Sequence, residues 1–301
     1  MTRALFAGDI SFDTTVLVDH VPEPDEKVLT TEFVEDVGGV ASNAAAACQL
    51  AGVPATLLCS LGTDQAAATC LANLTRRGVT VRHEPVQGPT TRALITLERH
   101  GEKRLVLATG VSMYPTTAQC RSVPLDGVGW MHTAVYDASA SAALIERCRL
   151  AGIPWSIDLE PATLSGVLDA PASTLHGAAV AFVNTRAAAV LGTGPERQLF
   201  AAGVQAVVRT DGAAGARWCV PAEQTTVAVP EAVTAIVDST GAGDCLAGSF
   251  VAQRLSGHGP LAALRYAVTA ASLSCGRLGG QSAYAGHAEV AAIRSEGAAK
   301  S

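Results

Sequence analysis

Residues 238–250 read DSTGAGDCLAGSF, with two glycines and an alanine set just before an aspartate where an apolar run begins. Gly241 and Gly243 carry no Cβ, so the backbone can turn sharply there and another group can come close to it. The run from Asp244 onward reads as a helix. Its first N–H groups have no partner inside the helix, and they lie at the positive end of the helix dipole. A phosphate or a developing oxyanion suits that turn. Asp244 then stands at the mouth of the anion site, where a carboxylate can take a proton from an attacking hydroxyl. The same residues also read as a plain tight turn in which Asp244 serves only the helix start.

Upstream of this turn, short apolar runs alternate with helix-like stretches. RALFAGDIS (3–11), PATLLCSLG (54–62), GWMHTAV (129–135), PWSIDLE (154–160), AAVAFVN (178–184) and VQAVVRTDG (204–212) predict strands buried on both faces. Between them, GGVASNAAAACQLAG (38–52), SASAALIERCRLAG (139–152) and PERQLFAAG (195–203) predict helices, and TDQAAATCLANLTRRG (63–78) has Thr63 or Asp64 as N-cap and Gly78 after its end. The rhythm is that of βαβ units, hence an α/β fold with a mainly parallel sheet covered on both faces. Residues 14–36 and 90–110 break it with alternating β-branched and polar residues and a turn at His100 and Gly101; they predict antiparallel strands outside the main sheet, either an edge extension or a lid over a site at the strand ends.

Composition narrows the function classes. The chain has 301 residues, 49% of them hydrophobic and 16% charged, which fits one large folded core and excludes extended disorder. Its formal charge of −6 comes without a basic block, so nucleic acid is not an expected partner. Cysteines 48, 59, 70, 120, 148, 219, 245 and 275 show no C-x-x-C spacing, which predicts buried free thiols in a reducing cytoplasm. No stretch supplies the roughly 20 apolar residues of a membrane span, and the start is too short for a signal segment.

The chain lacks G-x-x-x-x-G-K-[ST], so other phosphate grips are needed. VVRTDGAAGARW (207–218) offers Thr210 and Gly212 at a strand end, and it equally reads as a hairpin turn. In order, GDISFD (8–13), VGGVASNAA (37–45), LGTD (61–64), GEKR (101–104), FVN (182–184), RTDGAAG (209–215) and DSTGAGD (238–244) resemble the ribokinase-like (PfkB) carbohydrate kinases over nearly the whole chain.

That resemblance implies a single three-layer α/β/α domain over 1–301 with a small β-sheet lid from about 14–36 and 90–110, ATP as donor and Mg2+ as helper. It implies that Asp13, Gly39 and Asn43 bind acceptor hydroxyls and that Asp244 is the general base, with the N–H groups of Ala242, Gly243 and Asp244, after Gly241, steadying the moving phosphoryl group. Asn184, Thr210 and Gly212 fall to the nucleotide, Leu264 to Gly280 to the adenine wall, and Asp238 and Thr240 to a monovalent cation such as K+. The family often has N-x-x-E after a mid-chain strand; here Asn184 is followed by Ala187 at the glutamate position, and Asp158 and Glu160 are the candidates to hold metal-bound water instead.

Arg92, Lys103 and Arg104 in the ribbon suit either an acidic acceptor or a solvated lid face. Aromatics are only 4% of the chain, and Phe12, Phe33 and Tyr114 are the candidates to stack on a base. The expected function is an ATP-dependent kinase of a sugar or sugar derivative. Its alternatives are a nucleoside kinase of the same fold and a non-catalytic sugar- or nucleotide-binding member. A homodimer through the lid is the expected assembly.

Overall fold

The computed structural model describes residues 2–298 apart from 31, 100, 162, 165–173, 222–224 and 231–234. The chain opens with β1 (Arg3–Ala7), β2 (Ser11–Val18) and β3 (Phe33–Gly38), and returns through helix α1 (Val40–Leu50) to β4 (Ala55–Leu61). Helix α2 (Gln65–Arg76), β5 (Thr80–Pro85), β6 (Arg92–Glu98) and β7 (Lys103–Ala108) follow. Next come α3 (Thr117–Ser122), β8 (Val128–Ala134), α4 (Ala138–Leu150), β9 (Trp155–Leu159) and β10 (Val180–Asn184). Helices α5 (Thr185–Leu191) and α6 (Pro195–Ala201) lead to β11 (Val207–Thr210), β12 (Ala216–Cys219) and β13 (Thr226–Ala228). Helices α7 (Ala242–Leu255), α8 (Pro260–Ser274) and α9 (His287–Ala298) complete the described chain.

A nine-stranded sheet runs β13-β12-β11-β10-β9-β8-β1-β4-β5, parallel except where β12 pairs with β11 and β13. Alternation along each strand divides its side chains between two cores. Ala4 and Phe6 of β1, and Val180 and Phe182 of β10, pack with α1, α7 and α8; Leu5, Ala7, Ala181 and Val183 pack on the opposite face with α4 and α5. Strands buried on both sides explain the near-continuous apolar runs of the sequence. No described helix is long and apolar enough to cross a membrane. All eight cysteines are buried and free.

A second sheet, ordered β3-β2-β6-β7, is the lid. Its sequence-based description needs one correction: β2 and β6 pair in parallel, while β2–β3 and β6–β7 are antiparallel. The turn between β6 and β7 includes Gly101 at φ 91, whose N–H reaches the Glu98 carbonyl at 2.8 Å; His100 lies outside the described residues. Strand β7 is one of the two edges of this sheet, and Leu105, Val106 and Leu107 are exposed along it.

A further difference lies at the chain's start, where RALFAGDIS is not one strand. Strand β1 stops at Ala7 because Asp9 turns away to cap α1, its carboxylate accepting the N–H groups of Val40 (3.0 Å) and Ala41 (3.1 Å). Asp9 is 5% exposed, and burial pushes its carboxyl up to about 6 against the pull of those two N–H groups. Asp9→Ala strips the first turn of α1 of a buried acceptor. It should lower stability by about 1–2 kcal/mol, measured as the urea midpoint, and an unchanged midpoint would refute the cap. Of the two candidates before α2, Asp64 is the N-cap, accepting the Ala67 N–H at 3.1 Å and the Thr90 hydroxyl at 2.7 Å.

Candidate active site

Every parallel strand of the main sheet delivers its carboxyl end to the same side, the usual location of ligand sites in open α/β sheets. The lid arches over that side, and between them lies a cavity of about 340 Å³. Asp9, Tyr136, Glu160, Asn184 and Thr210 reach it from the ends of the main strands or just beyond them, Asp158 from within β9, Ser11, Asp13, Lys103 and Leu105 from the lid, and Gly241, Gly243 and Asp244 from the start of α7.

The α7 turn is held from behind. Gly241 sits at φ 74, in the left-handed region, and a Cβ there would come 2.5 Å from the Gly280 carbonyl oxygen and 2.8 Å from the Tyr284 hydroxyl, which donates to the Gly241 carbonyl at 2.7 Å. The first N–H groups of α7 therefore point where the turn fixes them. Gly243 differs: a Cβ there meets nothing within 4 Å, so the space beside the N–H groups is open toward the cavity.

Asp244 is bound from below by α1. Gly248 lies directly against the Ala44 carbonyl, so α1 and α7 approach closely, and this brings Asn43 Nδ2 to donate to Asp244 Oδ2 at 2.7 Å. Gln281 Nε2 donates in turn to Asn43 Oδ1 at 2.8 Å, which orients the amide so that its NH₂ faces the aspartate. Gln281 is fully buried, and no sequence pattern singled it out. Burial pushes the Asp244 carboxyl up to about 8; Glu160 and Asp9 add repulsion, while the Asn43 hydrogen bond and Lys103 oppose it.

Asp9, Asp13, Asp158, Glu160 and Asp244 all line the cavity, and Lys103 is the one cationic side chain lining it among the described residues. Desolvation and then repulsion from Glu160 hold the Asp158 carboxyl well above the usual range; Glu160 is raised by burial, against a 3.3 Å hydrogen bond from the Tyr136 hydroxyl. Among the described residues no three His, Cys, Asp or Glu side chains converge in metal-ligand geometry. The acids that line the cavity are oxygen donors, the kind that can hold a hydrated cation through its waters.

The structure brings most of the sequence-selected residues together and leaves some apart. Asp13, Gly39, Asn43, Asn184, Thr210, Thr240, Gly241, Gly243 and Asp244 line one cavity. Asp13 accepts from the Ser11 hydroxyl at 2.5 Å, and its carboxyl is pushed up to about 6 by burial, with Asp36 adding to the rise. Asn184 also caps α5, accepting the Ala187 N–H at 2.8 Å; Ala187 itself is fully buried in the core and does not line the cavity. Ala242 is not in the lining, and its N–H reaches the Ser239 carbonyl at 3.3 Å.

Arg104 stands elsewhere. Its guanidinium pairs with Glu98 at 2.5 Å and Glu102 at 3.3 Å, away from the cavity, because strand alternation turns Lys103 inward and its neighbour outward. Arg92 likewise pairs with Asp64 at 3.5 Å and lies 5.5 Å over the Phe12 ring. Gly212 is exposed in the 3₁₀ turn joining β11 to β12, outside the cavity lining, and no residue from Leu264 to Gly280 lines it either. Phe12, Phe33 and Tyr114 are not in the lining; the aromatic rings there are Tyr136 and Phe182. The Asp238 carboxylate accepts from the Thr240 N–H (2.9 Å), the Thr240 hydroxyl (2.6 Å) and the Gly279 N–H (3.0 Å), so this pair fixes the turn by its own hydrogen bonds.

Comparison with known proteins gives this geometry a family. The model of the pfkB family carbohydrate kinases matches residues 1–285. The chain is 28% identical over 299 residues to the ATP-dependent ribose-1-phosphate kinase of Halopiger xanaduensis, covering 98% of this chain and 99% of that protein. It is 26% identical over 291 residues to the ribokinase of Bacillus subtilis, covering 93% and 95%. The fold superposes on Arabidopsis thaliana ribokinase complexed with ribose and ATP at a TM-score of 0.81, with 20% identity and coverage of 97% and 99%. It also superposes on a Burkholderia thailandensis nucleoside kinase in complex with inosine at 0.80, with 21% identity and coverage of 97% and 98%. With a match that spans almost the whole chain and a lidded cavity at the strand ends, this chain belongs to the pfkB family of carbohydrate kinases.

Proposed function

We propose that this ATP-dependent sugar kinase phosphorylates a neutral, ribose-sized sugar, with Asp244 as the general base. The observation that carries the reading is the Asp244 carboxylate, which faces the cavity at the start of α7 beside the open flank of Gly243. An acceptor hydroxyl bound against Asp13, Gly39 and Asn43 lies within the same cavity as that carboxylate. As the hydroxyl oxygen attacks the γ-phosphorus of ATP, Asp244 takes its proton, and the α7 N–H groups stabilise the charge on the transferring phosphoryl group.

Asn43 holds one Asp244 oxygen, so the other is the one that meets the acceptor. The residue must be ionised to act, and its raised pKa in the free chain means that bound cationic charge helps to ionise it. Asp158 and Glu160 would hold the water shell of a magnesium ion carried by the ATP phosphates, and that ion supplies charge neutralisation. A monovalent cation near Asp238 and Thr240 would rely on backbone carbonyls, since the carboxylate is already occupied.

A neutral acceptor is favoured over an acidic one because the lining is rich in carboxylates and the lid's Arg92 and Arg104 pair elsewhere. The relatives' substrates make ribose the first candidate and ribose 1-phosphate the second. ATP consumption measured across ribose, ribose 1-phosphate, hexoses, sugar acids and nucleosides tests this. The largest kcat/KM is expected for a neutral pentose. A preference for the phosphorylated sugar or for a nucleoside would overturn the choice of acceptor, and binding without turnover on every member of the panel would overturn the kinase reading itself.

A further inference from the structure

We propose that Lys103, carried by the lid, is a catalytic cation that hydrogen-bonds the transferring phosphoryl group. The inference rests on the reading above of the cavity as a phosphoryl-transfer centre.

Three observations lead to it. Lys103 lies opposite Leu97 in the β6–β7 register, and Leu97 is buried, so this pair is on the lid's inner face; Arg104, opposite Thr96, is on the outer one. Its ammonium reaches down to donate to the Thr240 hydroxyl at 3.1 Å, and that hydroxyl donates onward to Asp238 at 2.6 Å. Thr240 is the residue before Gly241, so the lid places a positive charge at the edge of the α7 anion cradle. Finally, an ammonium has three N–H donors, of which Thr240 engages one, and among the described residues Lys103 forms no ion pair. Its remaining donors have the cavity before them.

The position decides between two possible partners for that charge. Lys103 lines the cavity together with Asp13, Glu160 and Asp244, and its charge opposes the rise of all three carboxyl pKa values. The anion that the reaction itself must bring to that point is the γ-phosphoryl group, in passage from ADP to the acceptor oxygen. During transfer the acceptor O–H proton goes to Asp244 and a new O–P bond forms. The bond from the γ-phosphorus to the β–γ bridging oxygen breaks, and its electron pair leaves on ADP. Lys103 keeps its protons and donates a hydrogen bond to a non-bridging oxygen. Because the ammonium rides on the lid, the charge is in place only when the lid is over the acceptor, which couples acceptor binding to the chemical step.

The test compares Lys103→Met, Lys103→Arg and Asp244→Asn with the wild type by steady-state kinetics, ADP titration calorimetry and thermal melting. Lys103→Met is expected to lose about 10²-fold in kcat, the order seen when one donor to a developing charge is removed. Its acceptor KM, its ADP affinity and its melting temperature should stay close to wild type, and Lys103→Arg should recover part of the loss because it keeps the charge. A Lys103→Met kcat within about threefold of wild type overturns the proposal; so does a loss confined to acceptor KM, which assigns the ammonium to the acceptor instead. Should the methionine variant fail to fold, Lys103→Gln supplies the same comparison. Wild-type turnover by Asp244→Asn would instead bring down the underlying reading, so the two failures are distinguishable.

Discussion

Asp244→Asn is expected to lower kcat by about 10²–10⁴-fold while ATP and acceptor still bind, because it removes the proton acceptor and keeps the shape of the side chain. The amide still offers an oxygen to the Asn43 NH₂ group, so the Gln281–Asn43 chain beneath it survives. The pH profile carries a second signature. At low substrate, where the free enzyme titrates, wild-type kcat/KM should rise with pH and level off above about 8 as Asp244 ionises.

Stability should move the opposite way. The carboxyl has a pKa of about 8 when folded and 3.8 as its ordinary value, so between those limits the folded chain holds the proton more tightly than the unfolded one. The stability this group contributes is fully present below pH 3.8 and is lost as pH rises through about 8. Asparagine cannot ionise, so the variant's melting temperature should draw ahead of wild type as pH rises from 4 to 9, by on the order of a few degrees at the upper end. Calorimetry at the two ends decides it: an offset that does not change with pH would mean that the carboxyl is not strained by its surroundings, and the assignment of a desolvated base would fail.

The two glycines of the turn should respond differently to the same methyl group. Gly241→Ala places a Cβ against the Gly280 carbonyl and the Tyr284 hydroxyl at a positive φ, so it should destabilise the fold by roughly 2 kcal/mol or more and lose activity along with it. Gly243→Ala meets no protein atom within 4 Å. Its methyl group occupies space that an incoming phosphate needs, so melting should be unchanged while turnover falls by about 10²-fold, the order expected for a displacement of roughly 1 Å at a reacting centre. Full activity in Gly243→Ala would show that the phosphate does not approach this face of the turn.

Much of the architecture was legible in the chain. Apolar runs with turn signals between them, such as PATLLCSLG and AAVAFVN, mark strands because a strand buried on both faces has no polar side to show. The separate character of 14–36 and 90–110 was legible for the converse reason, since alternating β-branched and polar residues mark a sheet wetted on one face. Strand direction was not legible there: β2 and β6 are remote in the chain, and no local pattern says that they pair in parallel. Asp9 was hidden because its partners, Val40 and Ala41, lie far along the chain on another element.

The site divides along the same line. Asp244 and its glycine turn were visible because a helix start, a tight turn and an adjoining acid are contiguous in sequence, and their chemistry is local. Lys103 and Arg104 are neighbours of the same charge, and composition cannot say which one enters the cavity; the pleat of β7, once its register with β6 is set, turns one in and the other out. Gln281 looks like any loop glutamine until α1 and α7 pack closely enough to put Asn43 between it and Asp244. The sequence by itself determined the covered parallel sheet, the separate ribbon and the glycine turn before a helix, because those follow from local periodicity and backbone freedom. Which acids share one cavity, how far their pKa values rise and which lid cation faces them were decided only by the tertiary structure, since desolvation and charge repulsion depend on distances between residues that are remote in the chain.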